Sequence, residues 1–479
     1  MNKFTFMLVA AVALFPASVL ATDPAAREIS FSKLWTYSHS VTPGQTSEVS
    51  AFDRKTNTIW VAGVVGVDVL DAATGRLVEH IDISGYGAIN SIAIHKGLAA
   101  FAIEAPTDRR NPGLVLFYDT KERSPSGRVN AVPVGPLPDM LAFTHDGSKL
   151  LVANEGTPNA IADTPYVSPD PAGSVSIIDM KTRRVIATAT LAGVPVIGDN
   201  VRINTGMDFE PEYIALDDEG KRAYVTLQEA NAIGILDLEQ NNFIKVIGLG
   251  AKDFSLPGNQ IDPLDNASVS FISPGVKGLY MPDTVAAYKW RGDTYLVMAN
   301  EGDFREDNAD RVAASTFGAV APLNRLRVTN TDSSPGNLYS AGARSFSIRN
   351  HHGEIVYDSG DILDKKAAEL GIYDDGRSRD KGVEPEGVAL LDIAGRTYAF
   401  VGLERTTTGA VAIFDISKPT DVRFVDMIVT AGDVSPEGLV AYRYRDNFYL
   451  AIANEISRTT TLYKLESLHR EHEGDESDD

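Results

Sequence analysis

Short apolar runs alternate with polar turns along most of the chain. Around residue 385, the apolar stretches Gly387–Leu391 and Thr397–Leu403 flank the polar turn Asp392–Arg396. Gly409–Ile416 and Val422–Val429 follow, separated by the polar Ser417–Asp421. Runs this short, broken by Gly, Asp and Asn, predict β-strands joined by tight hairpins. The order recurs: a proline-acid turn, a strand, a polar turn, a second strand and a closing carboxylate. The clearest copies run from Glu384-Pro385-Glu386-Gly387 to Leu403-Glu404-Arg405, and from Ser435-Pro436-Glu437-Gly438 to Ala453-Asn454-Glu455. Pro282-Asp283 leads to Asn300-Glu301-Gly302, Pro138-Asp139 to Asn154-Glu155-Gly156, and Pro211-Glu212 to Gln228-Glu229, with a weaker copy from Asn90-Ser91 to Glu104. Four strands per unit, repeated radially, is the plan of a β-propeller.

The predicted fold is all-β: a single closed propeller of seven four-stranded blades over residues 22–465. The units fall near 47–83, 90–134, 139–191, 212–248, 283–358, 386–429 and 437–465. The last unit stops after its third strand, Thr459–Leu465. Ile29–Ser38 is expected to supply the fourth, which would remove an open sheet edge. Long insertions lie at Gly156–Gly173, Ala192–Phe209, Gly250–Met281, Gly302–Ala341 and Ser359–Val383, the last with a predicted short helix at Leu363–Leu370. In an up-and-down unit, the start of strand one and the end of strand two share a face, and every insertion falls on it. Loops concentrated on one face mark the side that meets a ligand or partner.

That geometry collects acids at the mouth of the central channel. Glu212, Asp283, Glu386 and Glu437 form one expected tier, and Glu155, Glu301, Glu404 and Glu455 the other. Paired strands lie about 4.8 Å apart, so such carboxylates need cations, arginines or raised pKa values to coexist. Oxygen-only ligands suit a hard divalent cation, calcium above all. The densest loop, Glu301-Gly302-Asp303 followed by Glu306, Asp307, Asn308 and Asp310, is the leading single metal candidate, although its spacing is not that of an EF-hand. The alternative is that the acids cap strands. His351-His352 and Arg291-Gly292-Asp293 read as hairpin turns on the opposite face.

Composition narrows the chemistry. There is no cysteine, which excludes disulfides, thiolate metal sites and thiol catalysis. The net charge of -21 argues against nucleic acid as a partner. Met1–Ala21 reads as a secretory signal peptide, so the protein is expected to be exported to the periplasm or medium, with no membrane span after cleavage. Residues 466–479 read as a disordered acidic tail. The chain contains no GxSxG elbow, P-loop, GxGxxG fingerprint or HExxH helix.

Pro282-Asp283 through Tyr295–Asp303, Gly342–Ile348, Glu384–Gly387, Phe400–Arg405 and Ala453–Glu455 together resemble the choice-of-anchor I propeller family. That family includes mesenchyme-specific cell-surface glycoproteins of biomineralising animals and bacterial relatives labelled alkaline phosphatase. The resemblance implies an exported or surface propeller associated with calcium, and for some members it brings a phosphatase label. No C-terminal sorting helix accompanies it here. Three readings follow: a cation-binding propeller whose loop-rich face meets a ligand, partner or mineral surface; a metal-dependent phosphoesterase using Glu404 and Arg405, with Arg305, Arg344 and Arg458 as further phosphate clamps; or a metal-free interaction scaffold.

Overall fold

The computed structural model describes residues 29–157, 171–203, 209–304 and 310–468. Met1–Ala21, residues 469–479, Arg305, Glu306, Asp307 and Asn308 lie outside the described residues. The fold is all-β and has propeller architecture. Among the described residues, seven sheets each contain a four-stranded antiparallel meander, here numbered one to seven in chain order. Sheet three is typical, with Pro138–Phe143, Lys149–Asn154, Ser174–Asp179 and Arg184–Thr190 in spatial order. Its second and third strands are almost wholly buried, whereas the fourth alternates between exposed and covered positions. The middle strands pack against neighbouring sheets on both faces, so they read as unbroken apolar runs. The outermost strand meets water on one side and alternates.

The core lies between sheets. Leu151, Val175 and Ile177 of sheet three pack on Ile214, Val225 and Val246 of sheet four. Phe400 and Ile413 of sheet six meet Leu450 and Ile452 of sheet seven. Ala451 and Leu462 of sheet seven meet Ile59, Val61 and Leu70 of sheet one. Innermost strands touch in chain order, and Pro436–Tyr444 of sheet seven also touches Ser50–Asp53 of sheet one.

The outermost strand of sheet seven is Ile29–Ser38, paired antiparallel with Thr459–Ser467. Glu466 and Ser467, assigned to the tail from sequence, still pair with Ser30 and Ile29, so the strand persists two residues further. Buried His39 reinforces this seam. Its Nδ1 lies 2.6 Å from Asp68 Oδ2 in sheet one, and its Nε2 lies 2.8 Å from Thr460 Oγ1 in sheet seven.

The insertion between sheets four and five, and the one inside sheet five between Asp293–Asn300 and Ser345–Asn350, build a small unit of their own. Ala251–Asp253, Val276–Leu279 and Leu338–Ser340 form a three-stranded sheet, and Arg311–Ala313 pairs with Arg327–Thr329. Phe254, Ile261, Leu326 and Val328 fill its core. The helix spans Ile362–Glu369. Buried Arg344 ties these segments, donating to the carbonyls of Asp262 at 3.1 Å and Ser378 at 2.5 Å. It is a structural clamp, and its commitments keep it from acting as the phosphate ligand considered from sequence. On the opposite face, the rings of His351 and His352 lie 3.9 Å apart and tilted by 47° in a turn, and Arg291-Gly292 closes the hairpin between Val285–Trp290 and Asp293–Asn300.

Candidate functional site

One local device positions the acids. In sheets three, four, six and seven the register slips just after the proline: between Pro138 and Met140, Pro211 and Ile214, Pro385 and Val388, and Pro436 and Leu439. Asp139, Glu212, Glu386 and Glu437 therefore sit in β-bulges, where an unpaired residue is re-aimed away from the ladder. Asn90 occupies the same place in sheet two. The residue before the proline is left-handed at Leu137 (φ 44°), Met281 (43°), Glu384 (49°) and Ser435 (65°). The carbonyls of these residues face the second tier. Leu137 O accepts from Glu155 N at 2.9 Å, Glu384 O from Glu404 N at 3.0 Å, and Ser435 O from Glu455 N at 2.9 Å. One strained turn thus fixes both acids of a sheet at neighbouring positions.

A cavity of about 260 Å³ runs between the inner strands and is lined by residues of every sheet, among them Ser50, Asn90, Asp139, Tyr213, Asp283, Glu386 and Glu437. Three sets of acids offer oxygens within 4.8 Å of one another: Asp139, Glu155 and Glu212; Asp283, Glu301 and Glu386; and Glu301, Glu384 and Glu404. The sets differ in their cations. The ammonium of Lys381 lies 2.6 Å from Glu301 Oε1 and 3.0 Å from Glu384 Oε2. Arg377 holds Glu384 at 2.5 Å, and Arg405 holds Glu404 at 2.6 Å. Among the described residues, neither Glu212 nor Glu229 meets a lysine or arginine in a salt bridge. Glu229 is buried beside the first set, and its Oε2 has no hydrogen-bond partner.

Electrostatics follow the geometry. Burial, then Glu155, Glu229 and Asp139, push the Glu212 carboxyl well above its ordinary range. Burial with Glu155 and Asp303 raises Glu229 to about 8. Burial outweighs nearby Arg109 and lifts Asp139 to about 7. Glu404 rises to about 8 through burial and Glu301, although Arg405 opposes the shift. Burial followed by neighbouring carboxylates also raises Asp283, Glu386 and Glu437. Burial opposes the charge on Lys381, yet Glu301, Glu384 and Asp303 outweigh it and hold the ammonium charged.

The sequence profile of the choice-of-anchor I domain matches residues 48–419, more than half of the chain. The chain belongs to this family. No curated protein matches this choice-of-anchor I chain. Among solved structures, Kuenenia stuttgartiensis hydrazine synthase is similar at 11% identity and a TM-score of 0.53, over 88% of this chain and 96% of that one. A chain of the mitotic checkpoint complex is similar at 10% identity and a TM-score of 0.52, over 96% and 100%. The Myceliophteria thermophila Cps50 (Swd1) beta-propeller domain follows at 11% identity and a TM-score of 0.49, over 91% and 99%. At identities this low, the first two likenesses speak for the fold alone.

Within this choice-of-anchor I fold, the expected metal residues separate into groups. Glu155 and Glu212 come together, as do Asp283, Glu301 and Glu386. Glu437 and Glu455 lie close enough to influence each other electrostatically. At the two ends of the Glu301–Asp310 loop, Glu301 is bound by Lys381 and by Gln228 Nε2 at 2.9 Å, and Asp310 by buried Arg202 at 2.6 Å. Asp303 is half-exposed, 3.8 Å from Lys381. Arg458 is exposed in a turn, and its backbone N–H donates to the carbonyl of Glu455. Sequence reasoning left Asp139 and Glu229 out of the ligand set although their motifs had been found. Glu48, raised to about 7 by burial and close enough to Glu437 and Asp139 to raise both, was missed because Ser47 rather than a proline precedes it, and Lys381 and Arg377 because they belong to an insertion without a counterpart in other repeats.

Proposed function

We propose that this choice-of-anchor I protein is an exported, closed, seven-bladed propeller that binds a calcium-like divalent cation at its acidic mouth. Asp139, Glu155, Glu212 and Glu229 form the primary ligand set, with Asp283, Glu301 and Glu386 beside it and Glu437, Glu455 and Asp303 around the rim. The loop-rich face around that mouth presents the cation to a ligand, partner or mineral surface. One observation carries the reading. Three carboxylates converge within 4.8 Å beside a buried, unpartnered oxygen of Glu229. Carboxylate-only donors, without Cys or His, suit a hard cation; calcium takes 6–8 oxygens, and carbonyls and water would complete its shell. Closure is supported by the pairing of Ile29–Ser38 with Thr459–Ser467 and by the contact of sheet seven with sheet one. Export rests on Met1–Ala21 and on the exported character of choice-of-anchor proteins.

Titration of the metal-free protein with Ca²⁺ tests this reading. Expected is saturable binding that Glu212→Gln weakens at least tenfold; heat-free titration of a folded protein would count against it. A second reading, metal-dependent phosphoester hydrolysis, is favoured by Arg377 and Arg405, partly exposed at the same mouth. A bound cation would supply Lewis acidity there, and the two guanidinium groups would hold phosphate oxygens. Chelator-sensitive release of phosphate from an aryl phosphate, lost in Arg405→Met, would establish it. Neither binding nor hydrolysis would leave the metal-free interaction scaffold.

A further inference from the structure

Lys381 occupies a position built like a cation site. Its Nζ donates to Glu301 Oε1 at 2.6 Å and to the Gly302 carbonyl at 2.5 Å, and meets Glu384 Oε2 at 3.0 Å. Glu301, Glu384 and Glu404 also offer oxygens within 4.8 Å of one another. Lys381 and Glu384 are 6% and 1% exposed, so water does little to screen either charge. Two carboxylates and a carbonyl around one positive centre are the donors a hard cation takes, here at 2.5–3.0 Å beside the 2.3–2.6 Å of Ca–O bonds. The occupant is the chain's own ammonium, delivered by the insertion between sheets five and six.

We infer that Lys381 is a tethered counter-cation that fills one of the mouth's cation positions and so fixes how many divalent ions the protein binds. The inference builds on the cation-binding reading above. Glu301, Glu384 and Glu404 are neutralised from within by Lys381, Arg377 and Arg405. On sheets three and four, where among the described residues neither Glu212 nor Glu229 meets a lysine or arginine in a salt bridge, the proposed ion comes from solution. Lysine suits this task because its ammonium is a compact point charge on a flexible stem, close to a bare cation in shape. An ordinary buried ion pair differs in its response to substitution: removing one partner leaves stranded charge, and a soluble ion cannot cure that unless the donors already surround it.

The test compares full-length mature wild type, Lys381→Met and Lys381→Met/Glu384→Gln by Ca²⁺ titration calorimetry and thermal unfolding, with and without chelator. Methionine keeps the length of the stem and removes its charge. Expected is one additional Ca²⁺ equivalent in Lys381→Met, a larger rise in Tm with Ca²⁺ than in wild type, and loss of both gains in the double variant. A folded Lys381→Met with wild-type stoichiometry overturns the inference. If Lys381→Met fails to fold in chelator, refolding in Ca²⁺ should recover it; failure in both conditions also overturns the inference. A wild type that binds no Ca²⁺ would refute the site on sheets three and four, while the variant's gain or lack of gain would still decide the role of Lys381.

Discussion

At the scale of single residues, the mouth is a contest between burial and charge. Glu229 and Glu404 are both raised to about 8, and Asp139 to about 7. Acids raised in this way bind more protons in the folded state than in the unfolded chain between about pH 4 and about pH 8. Stability without metal must therefore fall as pH rises through that window. We expect the Tm of the protein in chelator to drop steadily from pH 5 to pH 8, and Glu229→Gln to flatten the slope. A cation would replace the protons, so saturating Ca²⁺ should remove most of the pH dependence; Tm followed across pH in both conditions checks this. The proline-acid motif made the positions of Glu212, Asp283, Glu386 and Glu437 legible in the sequence. Their partners were not. Lys381 lies eighty residues from Glu301, and only the fold of an insertion brings the two together.

At the scale of elements, bulges and close inner-strand contacts place the acids. A Cβ at Gly387 would lie 2.2 Å from the Glu437 carbonyl oxygen, and one at Gly438 would lie 2.3 Å from that of Glu48. Backbone is in the way at both positions, so the inner strands would have to part. Gly387→Ala is expected to cost about 1–3 kcal/mol and to weaken Ca²⁺ binding, as measured by denaturant unfolding and titration. The strands themselves were readable because apolar runs, hairpin turns and closing acids recur in step. The small sheet of Ala251–Asp253, Val276–Leu279 and Leu338–Ser340 was not, because its strands have three or four residues and carry no periodicity. The helix at Ile362–Glu369 was found within one residue of its predicted bounds.

At the scale of the whole molecule, the seam between sheets seven and one joins the ends of the chain. His39 bridges Asp68 and Thr460 from a fully buried position. His39→Ala strands buried polar groups and should cost about 1–3 kcal/mol, visible as a lower denaturation midpoint. Removing residues 29–38 should go further, exposing the edge of Thr459–Ser467 and promoting association, detectable by light scattering. The strand that closes sheet seven could be anticipated because the last repeat is short by one strand. The neutralisation of Glu301 and Glu384 by Lys381 and Arg377 could not, since it depends on an insertion rather than on the repeat.

The central claim is that the acids of sheets three and four hold a divalent cation. Thermal unfolding of the mature protein at pH 8, in chelator and then with added Ca²⁺, addresses it most directly. An ion at about 100 times its Kd, bound only by the folded state, should stabilise by roughly 2.7 kcal/mol. The account predicts a clear rise in Tm that Glu212→Gln diminishes. An unchanged Tm with Ca²⁺ and with other common divalent ions would contradict it and make the acids of the mouth structural.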